Sequence, residues 1–159
     1  MTDPAWVPRP VSDLEIAVLR GWLTADGETA KGSFSEQVAL AGDANGVGML
    51  LYAAFLIAAR RRFTPQWTRA EVISYVAQLR AKLQSDDPGL LDPMTAEDEL
   101  RAALGEPVTA THELGFVAAA RIFILVDIVL RLDLDDVALT DLIDQARDSA
   151  NQMLERISP

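Results

Sequence analysis

Histidine occurs once, at His112, and cysteine not at all. That leaves no second imidazole or thiolate for a catalytic triad, a disulfide or a usual zinc site. His112, followed by Glu113, is therefore read as a capping or surface residue. Two acidic stretches resemble calcium loops and fail on spacing. Counted from Asp43, the twelfth position is Ala54, where a bidentate carboxylate is needed. Counted from Asp133, the twelfth is Asp144, but the fifth and sixth are Val137 and Ala138, where the loop needs an oxygen and a glycine. Asp135 or Asp136 instead suits the N-cap of a helix, whose dipole favours acids. Gly46-Val47-Gly48 lacks the third glycine of a dinucleotide fingerprint, and there is no Walker lysine. Those glycines are expected to open a helix entry or to let a neighbour pack close. No metal and no cofactor is implied.

Arg121 and Asp127 stand out because of where they sit. Leu114 to Leu130 is apolar on nearly every side except for these two charges. A membrane span needs ~20 mostly apolar residues, and a charge at bilayer depth costs several kcal/mol. The stretch is therefore predicted to be a buried central helix of a globular core. At 100° per residue, Glu113, Ala120, Asp127 and Arg131 fall on one narrow stripe, expected to touch solvent, with Asp127 and Arg131 paired at i,i+4. Arg121 lies to one side of it, among Leu114, Val117, Leu125 and Ile128. If that face is buried, the guanidinium needs a carboxylate from another helix, from the acid-rich last helix or the 86–99 region. The alternative is a recessed site in which Arg121, with Asp127 near it, holds an anionic ligand.

The elements that must position these residues are well punctuated. Ser12-Asp13-Leu14-Glu15 is a capping box opening a first helix, with a stripe of Leu14, Val18, Leu19 and Trp22. Ser33 to Glu36 opens a short second one to about Ala41. From Gly46 or Val47 to Arg62 runs another strongly apolar helix, closed by Arg60, Arg61 and Arg62 where the dipole favours cations, and Pro65 forbids continuation. Thr68 to Glu71 is a second capping box, with Trp67 and Val72 as a hydrophobic staple, and predicts a helix from Arg69 to about Gln84. Ser85 to Gly89 reads as a turn. A short helix from about Pro93 to Leu104 is closed by Gly105 and Pro107, the buried helix runs from about Thr111 to Leu132, and the last begins after Asp133–Asp136. No stretch alternates with period two. The fold class is all-α: one domain over 1–159, about six helices around two apolar central ones, with 1–11 extended and at least two-thirds of the chain helical.

Charge bounds the function. The net charge is −10, which argues against a nucleic-acid surface. It is unevenly placed: residues 60–82 carry +5, residues 83–106 carry −6 and residues 127–159 carry −5. Arg60, Arg61 and Arg62 are thus more naturally dipole complements and partner contacts than phosphate contacts. The N-terminus has neither a basic n-region nor an apolar h-region, which predicts no signal peptide and a cytoplasmic setting. Twelve Arg against two Lys is a bias of GC-rich bacterial genomes. With no catalytic motif, the expectation is a non-enzymatic interaction or adaptor protein, for instance an acidic inhibitor or immunity-type protein that covers a basic effector. Its candidate contacts are Arg60, Arg61 and Arg62, or Asp141, Asp144 and Asp148, meeting a protein partner or a second copy. A small-ligand bundle built on Arg121 is the alternative, and an enzyme working through carboxylates alone is the third.

Overall fold

The two most apolar stretches form the helices on which the others pack. In the computed structural model, which describes residues 9–24, 46–83 and 91–157, six helices hold 78% of the described residues and none of these is in a strand. They are α1 (Asp13–Thr24), α2 (Val47–Arg62), α3 (Arg69–Leu83), α4 (Pro93–Ala103), α5 (Leu114–Leu132) and α6 (Asp136–Arg156). The expected helix after Ser33, the Asp43 stretch and the turn at Ser85–Gly89 lie outside the described residues. The helix-to-helix contacts are those of a single all-α bundle. α2 packs most extensively on α6 and α5 and also meets α1 and α4, while α4 bridges α3 and α5. Phe55, Leu50, Leu51, Ile124, Leu125, Ile128, Leu142 and Ile143 are wholly buried at this junction. No described helix is long and apolar enough to cross a membrane.

Local chemistry accounts for the boundaries. The Ser12 capping box is complete: Ser12 Oγ accepts from the Glu15 amide, and Glu15 Oε1 accepts from the Ser12 amide and hydroxyl. At α3 the Thr68 hydroxyl accepts from the Glu71 amide, with Trp67 half-buried and Val72 wholly buried. Asp92 caps α4 through Thr95, with Pro93 in the first turn, and Asp135 caps α6 by accepting from the Ala138 amide. α5 ends in a left-handed residue, Asp133, with φ 48°.

Two expected faces are corrected. In α1 the inward stripe is turned by one residue: Leu14 is 76% exposed, and Glu15 is buried with Leu19, Trp22 and Leu23. Glu15 there lies against Gly46, the N-cap of α2, whose φ is +59°. A side chain there would start 1.8 Å from Glu15 Oε2. The bare glycine thus lets the Glu15 carboxylate sit at the positive end of the α2 dipole. In α5 the ends of the expected stripe, Glu113 and Arg131, are exposed, but its middle does not face water. Ala120 is wholly buried and Asp127 is 9% exposed. Side chains from α3 close over that side. Helix α5 also starts later than expected, leaving Thr111–Glu113 in the preceding connection.

Candidate functional site

Arg121 projects from the middle of α5 and finds its carboxylate on α4. Its Nε donates to Glu99 Oε2 at 2.8 Å. Its guanidinium carbon lies 4.3 Å from the ring centroid of Tyr52 on α2. One charged side chain therefore pins three helices. With 24% of the side chain exposed, the guanidinium is recessed rather than sealed. A ligand at this point would have to displace Glu99.

Asp127, one and a half turns further along α5, belongs to a separate cluster. Oδ2 accepts from the Tyr75 hydroxyl at 2.7 Å and from Arg131 Nε at 3.0 Å, and Oδ1 accepts from Lys82 Nζ at 3.2 Å. Three donors, two of them cationic, offset the cost of burying the carboxylate. Burial pushes the Tyr75 hydroxyl well above the ordinary tyrosine range, and the bond to Asp127 adds to this. Tyr75 thus holds its proton and acts as a donor. The i,i+4 spacing made the Asp127–Arg131 pair legible. Tyr75 and Lys82 could not be read from spacing, because they arrive from α3.

The three consecutive arginines at the end of α2 serve three different neighbours. Arg60 Nε donates to the Ala103 carbonyl in the last turn of α4, at 3.2 Å. Arg61 Nη2 donates to Gln145 Oε1 of α6, at 3.3 Å. Arg62 stacks over the rings of Phe63 and Tyr75, 5.2 and 5.6 Å from their centroids, and has no carboxylate partner among the described residues. It stands at the edge of an open groove of about 400 Å³, whose walls include Phe63, Tyr75, Ser74, Gln78 and Glu71.

Further ion pairs tie α4 to the connection that follows it. Arg101 holds Asp98 and Glu106, Arg69 of α3 also holds Glu106, and His112 meets Asp98 at 2.8 Å. His112 is thus half-buried and bonded rather than a free surface residue. Hydrogen bonds from Arg101 and then Arg69 draw the Glu106 carboxyl down from 4.5 to about 2.

Helix α6 presents a different surface. Its inward face is Leu139, Leu142, Ile143, Ala146, Ala150 and Leu154. At 100° per residue, Asp141, Asp144, Asp148 and Glu155 fall within about 60° of one another on the opposite side. All four are exposed, and none is in an ion pair with a described residue. The stripe is about 21 Å long at 1.5 Å per residue. Among the described residues, no group of three or more acidic or histidine side chains gathers as a metal site would require. No protein-family model, curated protein or solved structure matches this chain.

Proposed function

We propose that this is a non-enzymatic interaction protein that docks a basic protein surface along the outer face of α6. The observation that carries this reading is the stripe of Asp141, Asp144, Asp148 and Glu155, exposed and without cationic partners among the described residues. Local energetics do not explain such a row. Like charges at i,i+3 and i,i+4 disfavour a helix by about 0.2–0.5 kcal/mol per pair, and an acid in the last turn, as Glu155 is, opposes the dipole. Two cations near the stripe are engaged elsewhere: Arg61 bonds to Gln145, and Arg147 of α6 faces Asp13. The net charge of −10 adds long-range attraction for a basic partner and speeds encounter. In its most concrete form the protein is a cytoplasmic acidic cover for a basic effector. The ligand-site alternative is the weaker one, since the Arg121 guanidinium already has Glu99 and Tyr52.

The test is titration with an arginine- and lysine-rich helical peptide, comparing the natural chain with Asp141→Asn/Asp144→Asn/Asp148→Asn. Three surface pairs at ~0.5 kcal/mol each predict a loss of about tenfold in affinity. Amide shift changes should cluster on the outer face of α6. Equal affinity for both proteins, or changes spread evenly over the molecule, would remove the proposal.

A further inference from the structure

The molecule carries two unmet halves of an electrostatic contact. One is the α6 stripe. The other is the Arg62 groove, where a cation is held against two aromatic rings with no acid bonded to it among the described residues. Resting on the reading of α6 as a docking face, we infer that the Arg62 groove receives the acidic face of α6 from a second copy of this chain.

The shape of the groove favours a macromolecular occupant. Pockets for small molecules enclose roughly 70–90% of the ligand surface. This groove is shallow and open, so its occupant must bring a surface of its own. The chemistry favours an acid. The Arg62 guanidinium lies over the Phe63 and Tyr75 rings, and a planar fork of donors that already stacks on aromatic faces loses less freedom on pairing with a carboxylate. Ser74 and Gln78 add a hydroxyl and an amide along the wall. The floor is already saturated, because the Tyr75 hydroxyl is committed to Asp127. Glu71, also in the lining, is the one acid there against the fit.

The α6 stripe supplies carboxylates on successive turns at Asp141, Asp144 and Asp148, and the middle one, Asp144, is assigned as the counterpart of Arg62. The net charge opposes bringing two copies together. At physiological ionic strength, however, charges more than ~8 Å apart are largely screened, while a direct pair survives. Groove and stripe are different surfaces, so the contact is made either reciprocally, twice in a two-fold dimer, or head-to-tail in a ring or open chain.

The experiment is light scattering on the eluting protein from micromolar to near-millimolar concentration in 0.15 M salt, with circular dichroism to verify the fold of each variant. The natural chain should rise above its monomer mass of 17.3 kDa with concentration. Arg62→Glu alone and Asp144→Arg alone should each stay at monomer mass. An equimolar mixture of the two should associate again, since each then offers the other an oppositely charged surface. Arg62→Gln, which removes charge without reversing it, should reduce association several-fold. A natural chain that stays monomeric throughout, or association unchanged by Arg62→Glu, overturns the inference. If the natural chain is monomeric while the cationic peptide still needs the α6 aspartates, only the self-contact falls. If the peptide ignores α6, the reading it rests on falls too.

Discussion

Arg121 shows how a charge in the most apolar helix is made tolerable. The guanidinium reaches Glu99 and stacks on Tyr52, so removing it strands a half-buried acid. Arg121→Met is expected to cost about 2 kcal/mol, and Arg121→Met with Glu99→Leu to recover most of it, because the unpaired carboxylate is the larger penalty. Urea denaturation of both variants checks this; a double variant no better than the single one would refute it. Glu106 gives a pH signature. Its folded-state value of about 2 lies below the ordinary 4.5, so its contribution is present above pH 4.5 and is lost as pH falls toward 2. Glu106→Gln should flatten that part of the acid stability profile, and an unchanged slope would contradict the assignment. The need of Arg121 for a partner was readable in the sequence, since burial of a lone cation is costly whatever the fold; the choice between the last helix and the 86–99 region was settled only by Glu99. The setting of Asp127 was not. Periodicity gives the angle of a residue on its own helix but not which neighbour covers it, and Tyr75 and Lys82 lie 52 and 45 residues away.

At the scale of elements, caps and breakers carried most of the information. The ends of α2, α3 and α4 fall within a residue or two of where Arg60–Arg62, the Thr68 box and Gly105 put them, because each signal satisfies or removes specific backbone bonds. The start of α5 was misplaced by about three residues. Nothing after Pro107 marks a strong N-cap there, and Glu113 makes no side-chain capping bond. Gly46 is the clearest case of a residue whose type is dictated by its neighbour as well as by its backbone. Gly46→Ala must accept φ +59° and move the Glu15 carboxylate out of the way. At φ +59° and ψ -113° the backbone lies outside the left-handed helical well, a strain of about 1–3 kcal/mol for a residue with a side chain, and disturbing a buried carboxylate adds to it. A loss of about 2–3 kcal/mol is expected in chemical denaturation. Asp133, at the end of α5, differs: with φ 48° and ψ 53° it sits in the left-handed helical well, which a short polar side chain tolerates. A Gly46→Ala protein as stable as the natural chain would mean that α1 does not depend on this close approach.

For the whole molecule, the charge distribution sets stability and binding against each other. A net charge of −10 repels itself, and the α6 row concentrates part of that repulsion on one helix. The internal ion pairs work in the opposite direction. Most of them are partly exposed, worth at most ~1 kcal/mol each, and are screened by the same salt. Repulsion among unpaired acids should dominate. Raising salt from about 20 mM to about 200 mM, where the Debye length falls below ~10 Å, is expected to raise the melting temperature by about 2–4 °C, equivalent to ~1 kcal/mol at this size. The Asp141→Asn/Asp144→Asn/Asp148→Asn protein should melt higher than the natural chain at low salt and lose part of the salt response. Any complex formed through those aspartates should respond with the opposite sign, weakening as salt rises. The proposed docking role of α6 predicts such a cost, since residues used for binding are commonly held at a cost in stability. A melting temperature that falls with salt would place the dominant electrostatics in the internal pairs, and would take away the stability cost on which this reading of α6 depends.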